Sequence, residues 1–324
     1  MKAIRITNYG GPEVLQLEDV PTPAPGPGQA LVRLRVAGVN FTDIYRRRGI
    51  IAMPLPNTAG VEGSGVVEAV GEGVKGFQPG DRVAFTGQPG SYAEAIVVPA
   101  ESLIPLPADL SFEQGAAFPL QGMTAHYLIH EYRSLKHGDT VLIHAAAGGM
   151  GLLLVQWARH MGARVVGTVS TEKKAEAARI AGADDCILYT RQDFVAEIKR
   201  LTNGQGADLI IDGVGKTTFA GNLEAVAVRG NIVIYGMASG LADPIGPNSL
   251  MPRSITISGG GLPNYLRTRE ELMRRAVDVM EGIREGWLRF RIDRILPLAQ
   301  APDAHRLLEN RQTIGKVLLS VSSH

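Results

Sequence analysis

From residue 119 onward the apolar positions come in short unbroken runs. Each run is followed by a stretch in which apolar residues recur every three or four places. Residues 140–144, 164–169, 186–189, 209–212 and 230–235 read as buried strands, and 151–161, 173–181, 194–202 and 219–227 as the helices between them. Strands alternating with helices build βαβ units and a parallel sheet. Before residue 119 the pattern differs. Short β-branched runs such as 30–36 and 65–70 are divided by Gly and Pro clusters, among them Pro21-Thr-Pro-Ala-Pro-Gly-Pro-Gly28 and Gln78-Pro-Gly-Asp81. That punctuation predicts a barrel-like or sandwich β domain. Beyond residue 261 a charged helix is expected at 269–281, a strand at 292–297, a helix at 301–308 and a closing strand at 315–320. Residues 141–158 are apolar enough to suggest a membrane span. Gly and Ala interrupt their middle, so a buried strand, a tight turn and a helix fit better.

A length of 324 residues suits about two domains. Apolar residues make up 45%, enough for a large core. Lys plus Arg number 33 against 32 Asp plus Glu, a balance that disfavours a nucleic-acid binder. The single cysteine, Cys186, excludes intramolecular disulfides and any thiolate-rich zinc or iron–sulfur site. The first 17 residues hold no apolar core of a signal peptide, so a soluble, cytoplasmic protein is expected.

The sharpest motif is Ala146-Ala147-Gly148-Gly149-Met150-Gly151, a G-x-G-x-x-G pattern with Ala146 in first place. It follows an apolar strand and opens a helix, the context a dinucleotide loop requires. Gly148 and Gly149 allow the backbone to approach a pyrophosphate. Gly151 allows close helix–strand packing, and the helix N-terminus attracts the phosphates. An NAD site places Asp or Glu at the end of the second strand. Here that strand runs into Ser170-Thr171, with Lys173 and Lys174 shortly after. A hydroxyl and an amine suit a 2′-phosphate, which points to NADPH. The plainer alternative is that Ser170 caps the next helix and the lysines form a solvated face.

His144-Ala-Ala-Ala-Gly-Gly-Met-Gly151 closely resembles the medium-chain dehydrogenase/reductase superfamily, in its zinc-free quinone oxidoreductase (zeta-crystallin-like) branch. Gly10-Gly-Pro-Glu-Val-Leu15, Val39-Asn-Phe-Thr-Asp43, Gly60-Val-Glu-Gly-Ser-Gly65, Gln121-Gly-Met-Thr-Ala125 and Gly315-Lys-Val-Leu318 resemble it in the same order. The resemblance implies an α/β chain: a GroES-like β-barrel catalytic domain (1–118), a Rossmann doubly wound NADPH-binding domain (119–258) and a return to the catalytic domain (259–324). It also implies a homodimer with the cofactor in the interdomain cleft. Zinc relatives carry a Cys ligand where this chain has Asn40 and a His ligand where it has Val61, so no metal site is expected.

Carried over by position, the resemblance places Asn40 and Tyr45 near the nicotinamide as catalytic residues, and Thr124 on the ribose or carboxamide side. It assigns Lys174 and Tyr189 to the 2′-phosphate and adenine end, with Ser170 beside them, and Arg311 to a further cofactor contact. Backbone at Ala147, Gly148, Gly149, Met150, Gly151, Gly236, Gly260 and Leu262 completes the cofactor site. Asp43 and Glu62 are expected to serve in structural hydrogen bonds. Many relatives have a tyrosine where this chain has Ile51, which makes enoyl-thioester reduction the less favoured chemistry.

Among the remaining candidates, His126 and His130 lie i, i+4 on an expected helix, where surface or interdomain packing is preferred to a metal pair. Cys186 is expected in the core, and the arginines from 267 to 294 on a solvated face. The expected activity is NADPH-dependent reduction of a small-molecule quinone or conjugated carbonyl. The alternatives are an enone or enal double-bond reductase, or a crystallin-like structural or RNA-binding protein with weak turnover.

Overall fold

The computed structural model describes residues 1–321. The chain divides into two compact units. The first comprises Met1–Leu120, Arg267–Ala276 and the chain from Ile292 on; the second comprises Gln121–Leu266 and Val277–Arg291. The sequence boundary at 118/119 falls inside a helix, Phe112–His130, whose interior Pro119 reads in sequence as a break. Residues 277–291 also return to the second unit, so the last segment is split where a single return was expected.

The first unit is built on a seven-stranded sheet. Its path runs Ile292–Pro297, Lys316–Ser320, Gln29–Val39, Glu62–Val70, Arg82–Thr86 and Ile104–Pro105, with Ala95–Pro99 also paired to Gln29–Val39. A three-stranded sheet is formed by Gln16–Asp19, Lys2–Ile6 and Asn57–Thr58. Alternate apolar residues such as Ile4, Val32, Leu34, Phe85, Val98 and Leu319 turn inward to make one core.

Register decides what this sheet presents at one end. Val317 pairs with Val39, and Ala37 with Gly63. Continuing both ladders by one residue brings Lys316 opposite Asn40 and Glu62 opposite Gly38. Only glycine fits at Gly38, because a Cβ there would collide with the Glu62 carboxylate and the Ala116 carbonyl.

The second unit is a six-stranded sheet, parallel throughout. Its order is Asp185–Leu188, Arg164–Val169, Thr140–Ile143, Ala207–Asp212, Val226–Ile234 and Thr256–Gly259. The helices Gly149–His160, Glu172–Ala181, Phe194–Leu201 and Phe219–Ala225 connect the strands. Leu142, Val166, Ile187, Ile210 and Ile232 carry the core. Chain order reverses on either side of Thr140–Ile143. In an open parallel sheet, the crevice at the carboxyl ends beside such a reversal is where ligands bind. The apolar stretch 141–158 is the strand–turn–helix expected of it, and no helix of the described residues is long and apolar enough to cross a membrane.

Candidate functional site

In the second unit the loop after Thr140–Ile143 opens at that reversal. Ala145 takes a left-handed backbone (φ 52°), and the helix Gly149–His160 starts with Gly148 as its N-cap. No side chain caps this end. Its first N–H groups are therefore left for another acceptor, and the partial positive charge there suits an anion. Gly151 is buried, and a Cβ on it would collide with the Ala145 carbonyl and Ala146 Cα. Gly148, Gly149 and Met150 are half-buried and Ala147 is buried.

A buried polar string ties the strand ends around this loop. Asn222 Nδ2 donates to Asp212 Oδ2 at 2.7 Å, so Asn222 Oδ1 must be the acceptor for His144 Nε2, also at 2.7 Å. His144 Nδ1 then accepts from the Thr168 hydroxyl at 3.0 Å. Burial lowers the pKa of His144, which fits the neutral Nε2–H tautomer this geometry demands. Asp212 also accepts from the Val214 and Gly215 N–H groups and from the Thr218 hydroxyl. Three adjacent strand ends are thereby fixed to one another.

At the end of Arg164–Val169 no carboxylate terminates the strand. The Thr190 hydroxyl donates to the Ser170 carbonyl at 3.2 Å, bringing Ser170, Thr190 and neighbouring Tyr189 to one edge. Lys174 lies half-buried in the first turn of Glu172–Ala181. The cap of that helix is Thr171, whose hydroxyl accepts from the Lys174 N–H at 3.3 Å, so the alternative of a Ser170 cap falls away. A hydroxyl and an amine without a strand-end acid fit a 2′-phosphate. Thr124 is buried on Phe112–His130. Gly236 follows Val226–Ile234, and a Cβ on it would stand 2.7 Å from the Gly213 carbonyl. Gly260 donates its N–H to Ile234, and Leu262 opens a short 3-10 turn. Tyr132 donates to the Gly259 carbonyl at 2.8 Å and accepts from Tyr265, which stacks on Tyr127 at 4.3 Å.

In the first unit Asn40 is the N-cap of the helix Phe41–Arg47 and is 3% exposed. Its N–H donates to Asp43 Oδ2 at 2.8 Å and its Nδ2 to Glu62 Oε2 at 2.9 Å. The Lys316 ammonium donates to Asn40 Oδ1 at 2.7 Å and to Glu62 Oε2 at 2.6 Å. Glu62 Oε1 takes the N–H of Leu120 at 2.6 Å. Pro119 and its ring interrupt the helix ladder just before Leu120, so the carboxylate supplies an acceptor where the helix is disturbed.

Asp43 heads a second string. Arg47 Nη1 can only donate, so at 3.2 Å it makes His305 Nδ1 an acceptor. The His305 proton is then on Nε2, directed to the Tyr92 oxygen, and Tyr92 donates to Asp43 Oδ2, each at 3.2 Å. Burial, and then the Arg47 charge, push His305 down to about 3. Burial pushes Asp43 up to about 7, against the opposing pull of the Asn40 N–H and the Lys316 charge. Tyr45 is half-buried on the same helix, and its carbonyl accepts from the N–H groups of Ile50 and Ile51. Arg311 lies in the first unit in a left-handed backbone conformation (φ 56°).

Residues 26–108 match the alcohol dehydrogenase GroES-like domain family, and residues 149–280 the family described as zinc-binding dehydrogenase. The chain is 42% identical to a 2-haloacrylate reductase of Burkholderia sp, with 97% of each chain covered. It is 40% identical to a quinone oxidoreductase of Pseudomonas aeruginosa, covering 98% of this chain and 99% of that one. The crystal structure of Escherichia coli quinone oxidoreductase complexed with NADPH superposes with a TM-score of 0.96 at 36% identity, over 99% and 100% of the two chains. The chain belongs to the medium-chain dehydrogenase/reductase superfamily, in its zinc-free quinone oxidoreductase branch. It is an oxidoreductase.

The superfamily's zinc positions are differently furnished here. Where zinc relatives place thiolate and imidazole, this member has Asn40 and Val61, and the Lys316 ammonium already lies against Asn40 and Glu62. A divalent cation at those atoms would face that positive charge. Among the described residues no group of three or more His, Cys, Asp or Glu could hold a metal ion.

Several secondary expectations need correction. Of the histidine pair, both in the second unit, His126 is buried and His130 is exposed, as a surface position would be. His126 Nε2 is 2.7 Å from Asp278, both rings pack on Trp157, and Trp157 Nε1 donates to His130 Nε2. Cys186 is half-buried, and its thiol donates to the Ala175 carbonyl. The arginines after residue 266 are not all solvated: Arg275 is 2% exposed, and Arg269 donates to the carbonyls of Glu101 and Leu103. Sequence reasoning noticed Lys316 only as part of a motif, and it missed Tyr92, His305 and Asp212 as organising groups. For Lys316 the usable signal was a lysine between a glycine and an apolar strand run; the others carry none that a single sequence exposes.

Proposed function

We propose that the protein is an NADPH-dependent, metal-free reductase of quinones and similar conjugated carbonyl acceptors. The nucleotide loop at the reversal of strand order, beside a strand end that carries Ser170 and Lys174 rather than an acid, is the observation that carries this reading. When bound, NADPH supplies a hydride from its nicotinamide. The chain's own part is to bind, orient and exclude water.

In this reading the N–H groups at Gly148, Gly149 and Met150 meet the pyrophosphate, with Ala147 and Gly151 keeping the loop tight. Ser170, Lys174 and Tyr189 hold the phosphorylated adenosine end. Thr124, Gly236, Gly260, Leu262 and Arg311 contribute the remaining cofactor contacts. Asn40 orders the nicotinamide pocket, its amide turned by Lys316 and Glu62 into one orientation, and Tyr45 orients the acceptor by a hydrogen bond.

Residues 119–258 hold most of the cofactor, and residues 1–118 and 259–324 serve the acceptor and supply the cofactor contacts of Asn40, Gly260, Leu262 and Arg311. We take the active form to be a homodimer. Thr256–Gly259 is an edge strand paired on one side only, with Met251 and Leu241 more than 70% exposed. A second copy of the same edge would cover it. We place the protein in the cytoplasm, in keeping with a chain that forms no disulfide of its own.

The 42% identity to a 2-haloacrylate reductase favours one second reading, reduction of a conjugated carbon–carbon double bond. The test compares kcat/KM with NADPH for a benzoquinone, a matched enone, a haloacrylate and an enoyl thioester. Quinone reduction leaves a product protonated on oxygen, where water suffices. Alkene reduction needs a proton at carbon, and a positioned donor is worth ~10²–10⁴-fold. Ile51 cannot supply it. A ten-fold or larger preference for any alkene over the quinone would move the assignment to the second reading.

A further inference from the structure

Ala145 opens the nucleotide loop in a left-handed backbone (φ 52°), which glycine adopts freely and alanine does not. For an L-residue with nothing to hold it, that state is disfavoured by roughly 5- to 30-fold in population. The Ala145 side chain is exposed, so packing on its methyl group does not keep it there. Its two neighbours are held instead, and Thr168, buried near the end of Arg164–Val169, grips both. The Thr168 hydroxyl donates to His144 Nδ1 at 3.0 Å, and the Thr168 carbonyl accepts from the Ala146 N–H at 3.1 Å. Gly167, the residue before it, leaves room for the loop: a Cβ there would stand 2.6 Å from Ala146 Cβ.

The far side of the His144 ring decides that Thr168 is the donor. His144 Nε2–H is directed to Asn222 Oδ1, and Asp212 turns that amide. The His144 N–H goes to the Ile211 carbonyl at 3.2 Å. Thr168, His144, Asn222 and Asp212 are all buried, so each depends on the others for its hydrogen bonds. The Ala145 carbonyl in turn lies against the first turn of Gly149–His160, where a Cβ on Gly151 would collide with it. The backbone at Ala145 therefore sets where the first N–H groups of that helix stand.

We propose that Thr168 is a positioning residue for the cofactor: by gripping His144 and Ala146 it keeps Ala145 left-handed, and so keeps the helix N–H groups aimed at the pyrophosphate. This rests on the cofactor site proposed above. Thr168 acts through the loop backbone. Without its hydroxyl, Ala145 relaxes in the free protein, and apparent affinity falls with the fraction of molecules still competent to bind.

The test titrates two ligands, NADPH and adenosine 2′-monophosphate, which has the 2′-phosphate but no pyrophosphate. Thr168→Val keeps the branched shape of the side chain and removes the hydroxyl. It should weaken NADPH by roughly 5- to 30-fold and leave adenosine 2′-monophosphate unchanged. Thr168→Ser, which returns the hydroxyl, should bind NADPH as the natural protein does. Adding Ala145→Gly to Thr168→Val should recover most of the loss, because glycine carries no left-handed penalty. Equal NADPH affinity in Thr168→Val and the natural protein overturns the proposal and leaves the cofactor site intact. So does an equal loss for both ligands, or a loss that Ala145→Gly does not recover. Failure of the natural protein to bind NADPH overturns the cofactor site and the proposal with it.

Discussion

Lys316 Nζ lies 2.6 Å from Glu62 Oε2, with the two side chains 1% and 0% exposed. Neither charge has solvent to fall back on. The ammonium spends a second proton on Asn40 Oδ1, and the carboxylate accepts from Asn40, Leu120 and Lys316 together. Such a pair is costly to bury and costlier to break.

Lys316→Met should therefore destabilise the protein by about 3–5 kcal/mol, since it strands Glu62 as an unpaired buried anion. At ~2–4 °C per kcal/mol for a unit of this size, thermal melting should fall by roughly 6–20 °C. The double variant Lys316→Met with Glu62→Gln should recover part of that loss. Equal melting temperatures for the single and double variants would show that the pair is uncoupled.

Lys174→Ala should weaken NADPH but leave NADH nearly unchanged. A charge-assisted contact to the 2′-phosphate is worth about 1.5–3 kcal/mol, on the order of 10- to 150-fold in affinity. Fluorescence titration of both cofactors checks this, and equal affinities in the unaltered protein would refute the 2′-phosphate assignment.

Stability should depend on acid through groups of opposite sign. His144 and His305 are held neutral in the fold, His305 down to about 3, so the unfolded chain takes up protons below about 6.5 that the fold refuses. Their contribution is lost as pH falls from there. Asp43, raised to about 7, works the other way: the fold keeps a proton that the unfolded carboxyl releases above about 4. Each group contributes at most about 1.4 kcal/mol per pH unit in its window. Urea unfolding at pH 7 and pH 5 should show a steeper acid loss in Asp43→Asn than in the natural protein. The His144 ring should show the neutral Nε2–H tautomer by nitrogen NMR and take up its proton only below the ordinary histidine range.

Light scattering at micromolar concentration should find dimers. A charged residue placed at the outer edge, Thr256→Lys, should shift the population to monomer without changing the melting of the second unit's core. A natural protein that is monomeric throughout would refute the edge pairing.

The parallel sheet was legible because its strands are continuous apolar runs and its helices keep their own period. Arg164–Val169 and Ile292–Pro297 fall on the residues expected. The loop from Ala146 to Gly151 was legible because its chemistry is local. The helix Phe112–His130 was largely missed, since Pro119 and two glycines obscure an apolar segment with almost no amphipathic contrast. The strings Arg47–His305–Tyr92–Asp43 and His144–Asn222–Asp212 were not legible at all. Their members are 10 to 258 residues apart and meet only through register and packing. Arg275 and Lys316 show the same limit, because interleaved charges look alike in sequence whether they face water or a partner.

The 254 residues between Glu62 and Lys316 also impose an order on biosynthesis. Translation at about 5–20 residues per second separates the two by roughly 13–50 s. Over that interval the edge of Gln29–Val39 that Lys316–Ser320 will cover stands open, and Glu62 lacks its cation. The nascent first unit is thus an incomplete product on the ribosome, open to chaperones and proteases. The second unit, whose strands are nearly contiguous in the chain, can fold while the first still waits for its last strand.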